Sequence, residues 1–61
     1  MLENLKDYLR SIKLENETNE DLIKRVVADD KLFNMAVYMS PSVNCSNLKI
    51  IMESADFIAS I

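Results

Sequence analysis

The side chains of this 61-residue chain that could do chemistry are few. Cys45 is the only cysteine, and there is no histidine. A thiol with no imidazole beside it lacks the base that a cysteine hydrolase needs. Without His there is also no ordinary general base near neutral pH. One thiol falls short of the four N or S ligands of a structural zinc site, and a glycine-free sequence cannot build a phosphate-cradling glycine loop. Cys45 therefore reads as a small buried or half-buried residue. The remaining cluster is acidic: Glu15, Glu17, Glu20 and Asp21. It lacks the Asp-x-Asp-x-Asp-Gly pattern of a calcium loop and flanks a helix start, so solubility and capping explain it better than a metal. As an acidic patch it would attract a basic partner, in an association that salt weakens. The expectation is a protein that is not an enzyme and needs no metal or cofactor.

Charge narrows the partners. The net charge of −3 argues against nucleic acid, whose binding depends on Lys and Arg displacing counterions. Most charges precede Leu32; beyond it stand only Lys49, Glu53 and Asp56. The N-terminal half reads as solvated and the C-terminal half as enclosed. The mixed charges of Met1 to Glu17 do not resemble a secretory leader, and no run approaches the ~20 apolar residues of a membrane span. An unpaired cysteine suits a reducing compartment. The expected location is the cytoplasm, or the host cytoplasm if a virus or plasmid encodes the chain.

The elements that would position these residues are helical. No glycine and one proline leave little turn chemistry for hairpins, and no stretch alternates apolar with polar. The fold class is all-α: a compact bundle of three to four short helices, at about 2–13, 19–28, 30–40 and 46–59, forming a single domain over 1–61. Leu2, Leu5, Leu9 and Ile12 make the first stripe. Its opposite face is mixed in charge rather than basic, which argues against a membrane surface. Thr18-x-x-Asp21 approximates a capping box for a second stripe of Leu22, Ile23, Val26 and Val27. The third stripe, Leu32, Met35, Ala36 and Met39, would lie nearly opposite the second in an unbroken helix. A break near Asp29-Asp30, both good caps, brings the two stripes to one core. Phe33 and Val37 add an adjacent apolar pair. Pro41 ends the third helix, and Ser46 is a natural cap for the last.

That last helix is apolar on two sides. Leu48, Ile51, Met52, Ala55, Ile58 and Ala59 form one stripe. Ile50, Phe57 and Ile61 project about 180° away, at ~100° per residue. Either this helix is the central element, covered by its own chain, or the second side meets another molecule. Three other short helices are few to cover both sides, which favours a contact patch, and a twofold dimer is the commonest way to close one. The expected interface residues are Ile50, Phe57 and Ile61, with Phe33 and Tyr38. The functional expectation is a small helical protein-interaction module, a regulator or inhibitor that binds another protein and dimerises through its last helix. The alternative is a small helix-turn-helix-like DNA-binding regulator, reading bases with Ser46, Asn47 and Lys49. Lys49 alone would anchor phosphate poorly.

Overall fold

A computed structural model describes residues 2–61. Five helices follow one another: α1 (Glu3–Ile12), α2 (Asn19–Ala28), α3 (Asp30–Tyr38), α4 (Cys45–Met52) and α5 (Ala55–Ser60). No strand occurs among the described residues. The all-α expectation therefore holds, with one correction: the helix expected at 46–59 is two helices, divided at Glu53-Ser54.

Side-chain caps set most of the boundaries. Thr18 Oγ1 accepts from the Asp21 N–H at 3.1 Å and starts α2. Asp29 Oδ1 accepts from the N–H groups of Lys31 and Leu32 at 2.9 and 3.1 Å, which starts α3 and places the expected break. α4 begins one residue before the expected cap, because Asn44 Oδ1 takes the Asn47 N–H at 2.9 Å. Ser54 Oγ accepts from the Phe57 N–H at 3.3 Å and starts α5. Each of these caps satisfies amides that a helix start leaves without a partner. The 3₁₀-like turn after Tyr38 and then Pro41 end α3 two residues earlier than its expected limit at Ser40.

One core gathers all five helices: Leu5 and Leu9 from α1, Leu22, Ile23 and Val26 from α2, Ala36 from α3, Leu48 and Met52 from α4, and Phe57 from α5. Burying each of the larger side chains stabilises by roughly 1.5–3 kcal/mol. The centre of the bundle is α2, which packs on both α3 and α5; α1 lies on α3, and α4 on α5. The Cα radius of gyration is 10.3 Å, against about 10.5 Å for a folded chain of this length. Of the third stripe Ala36 is buried and Leu32 and Met39 pack against the core, joined by the adjacent pair Phe33 and Val37; Met35 is the exception, 41% exposed.

Among the described residues no helix is long and apolar enough to cross a membrane.

Candidate functional site

The bend at Ser54 decides where the expected interface residues go. In a straight helix Leu48 and Phe57 face opposite ways. Here Glu53 closes α4 in a turn (φ −85°, ψ −2°) and Ser54 is extended (φ −74°, ψ 146°). Those two residues swing α5 so that Phe57 joins Leu48 and Met52 in the same core. Phe57 is 6% exposed, which removes it from the outer patch it was expected to anchor. Ile61 and Phe33 are half-buried against the core. Ile50 and Tyr38 do face outward, 69% and 75% exposed. The structure thus separates the five expected interface residues into three held by the core and two presented to solvent.

The seat of Phe57 is finished by polar groups from α1 and α2. Lys6 Nζ lies 5.8 Å from the ring centroid, within the range of a cation–π attraction. Arg10 Nη2 donates to the Ser60 carbonyl at 3.2 Å, and Asn19 Nδ2 donates to the Ile58 carbonyl at 3.0 Å. These donors serve carbonyls at the end of α5 that lack an intrahelical partner.

The acidic cluster divides in the same way. Glu15 and Asp21 are exposed, and Glu20 pairs with Lys24 across one helical turn at 3.3 Å. Glu17 turns inward and is clamped. Arg25 Nε donates to its Oε2 at 2.8 Å and Nη2 to its Oε1 at 2.9 Å, while the Leu14 N–H donates to Oε1 at 3.0 Å. Arg25 Nη2 also reaches the Ile12 carbonyl at 2.8 Å, tying the end of α1 to α2. The Arg25 hydrogen bonds, with the Leu14 amide second, hold the Glu17 carboxyl down at about 2. The same pairing raises the Arg25 guanidinium above its ordinary value. The patch expected from four carboxylates is therefore three exposed ones beside a structural ion pair. Among the described residues no three His, Cys, Asp or Glu side chains converge on a common point suited to a metal.

Cys45 was expected to be at least half-buried, but it is exposed at the first position of α4. Ser46, Asn47 and Lys49, the residues of the DNA-reading alternative, are exposed on the same helix.

Sequence reasoning missed two features. A groove of about 470 Å³ runs between α2 and α5, floored by Ile23, Ala55, Ile58 and Ala59 and edged by Lys24 and Glu53. It exists because α5 is bent onto α2, so helical periodicity alone carries no signal for it. The second is Ser40, which is 2% exposed with a hydroxyl that has no hydrogen-bond partner among the described residues. Its position just before Pro41 marked a helix end and said nothing of burial.

Comparison with known proteins finds no family model, no curated protein and no solved structure that matches this chain.

Proposed function

We propose that this chain is a non-enzymatic interaction module that regulates or inhibits another protein by covering part of its surface, and that it also self-associates through its C-terminal region. The observation that carries the reading is the outward placement of large apolar side chains. Ile50 and Tyr38 keep about 69% and 75% of their surface in solvent, in a chain whose own core already encloses Leu, Ile, Val, Met and Phe side chains. Isolated exposed apolar residues are ordinary. Here they fall in the half of the chain that is poorest in charge, as the centre of a binding patch is. Tyr supplies a large rigid contact with a polar tip, which makes it a frequent anchor of binding energy. Lys49 as the only base after Lys31 leaves the DNA-binding alternative without a phosphate-anchoring surface on α4.

The test is affinity capture from the source cell with wild-type bait beside Ile50→Asp and Tyr38→Asp baits. One protein retained by the wild type, and lost with both variants at unchanged helicity, supports the reading. Identical sets retained by all three baits would remove it.

A further inference from the structure

We infer that Ser54 is an exchange hinge, and that the partner α5 fits is a second copy of this chain. In the dimer, α4 and α5 fuse into one helix and each α5 enters the other molecule's core. The inference deepens the self-association part of the proposed function and rests on it.

The first observation is the backbone. Between Cys45 and Ser60 the bend is confined to two residues: Glu53 closes α4 at φ −85° and ψ −2°, and Ser54 is extended. Rotating ψ of Ser54 and shifting ψ of Glu53 by about 40° to its helical value makes the segment continuous. The chain has no glycine, and its one proline is Pro41, so nothing between Cys45 and Ser60 forbids a straight helix.

The second observation is register. In the bent chain one core receives both Leu48 and Phe57. In a straight helix these residues point about 180° apart, at ~100° per residue. Leu48 and Met52 then stay in their own core while Phe57 turns away from it. Ile50 and Ile61 lie on the Phe57 side. A helix with two opposed apolar faces suits a position between two cores, and a second copy offers a core with a vacant seat of the right shape.

The third observation is what holds α5. Besides Phe57 in the core, its polar contacts are Lys6 over the ring, Arg10 to the Ser60 carbonyl and Asn19 to the Ile58 carbonyl. All three come from α1 or the start of α2, so all three re-form between copies. Exchange gives up the Ser54 cap at 3.3 Å, while the Ser54 hydroxyl bond to the Ile51 carbonyl, of the kind Ser11 makes to Tyr8 inside α1, is compatible with a straight helix. It gains backbone hydrogen bonds across the former break and covers Ile50, now 69% exposed. Such exchange is a low-cost route to a dimer because nearly every interface contact already exists in the monomer.

The experiment is sedimentation of wild type, Ser54→Ala and Ala55→Pro from micromolar to millimolar concentration, with circular dichroism of each. Proline suits the first position of α5 and requires the extended Ser54 of the bent form, but in a straight helix it clashes with the Ile51 carbonyl. The wild type should dimerise as concentration rises. Ser54→Ala should dimerise roughly tenfold more tightly, having lost the cap of the bent form. Ala55→Pro should weaken dimerisation roughly a hundredfold or more. In dimers of mixed isotopic labelling, a nuclear Overhauser effect should connect Lys6 of one chain to the Phe57 ring of the other. Dimerisation of Ala55→Pro equal to wild type, or a dimer without that cross-chain signal, overturns the exchange and leaves self-association through an outer face standing. Wild type and Ser54→Ala both monomeric at millimolar concentration overturn exchange and self-association together. If Ala55→Pro loses its helicity, the cross-chain signal in wild type decides.

Discussion

Glu17 shows how far a residue's neighbours can change its meaning. In the sequence it is one carboxylate of an acidic run; in the fold it is the anchor that Arg25 and the Leu14 amide share. Its folded carboxyl titrates near 2, against 4.5 for a free one. A depressed carboxylate contributes stability that is fully present above the unfolded value and fades as pH falls toward the folded one. Urea denaturation of wild type should therefore show stability declining from about pH 4.5 toward about 2, and Glu17→Gln should lose that part of the decline. Ser40 makes a different prediction. Its buried hydroxyl has no partner among the described residues, and leaving a buried polar group unpaired costs about 1–3 kcal/mol. Ser40→Ala should raise the midpoint of thermal unfolding. Both roles depend on three-dimensional neighbours, which is why the run Glu15 to Asp21 and the Ser40-Pro41 pair disclosed neither.

At the scale of elements, this short chain gives one core to opposed apolar stripes by inserting single extended residues. Asp29 does so between α2 and α3, with φ −107° and ψ 115°, and Ser54 does so between α4 and α5. The first break was legible because two stripes clashed in register next to two aspartates, which are strong caps. The second carried the same clash, Leu48 against Phe57. Ser54 stands alone there, though, between Glu53 and Ala55, both good helix formers, so the local signal favoured continuity. Asp29→Ala should cost about 1 kcal/mol, the usual value of a lost cap, measured by chemical denaturation. Phe57→Ala should cost roughly 3–5 kcal/mol, because the bend has made that ring part of the core. In a domain this small, where total stability is marginal, circular dichroism should show the Phe57→Ala protein largely unfolded.

At the scale of the whole molecule, the contrast between Phe57 and Ile50 separates packing from binding. Ile50→Asp should shift stability by no more than about 0.5 kcal/mol, as surface changes do, while abolishing capture of a partner. Phe57→Asp should unfold the chain. Thermal melts of the two variants, run together, check this ordering. The sequence by itself determined the all-α class, the Thr18 cap, the break at Asp29 and the inward faces of α1 and α2, because helical period and cap chemistry are local properties. It also marked the carboxy-terminal segment as apolar on two sides. Only the tertiary structure decided that Phe57 shares a core with Leu48 while Ile50 stays outside, that Glu17 faces Arg25, and that a groove opens between α2 and α5. Each of these follows from where the chain is carried by a turn, the one before α5 or the loop that holds Glu17. A few turn dihedrals set that direction, and contacts made far along the chain decide their values.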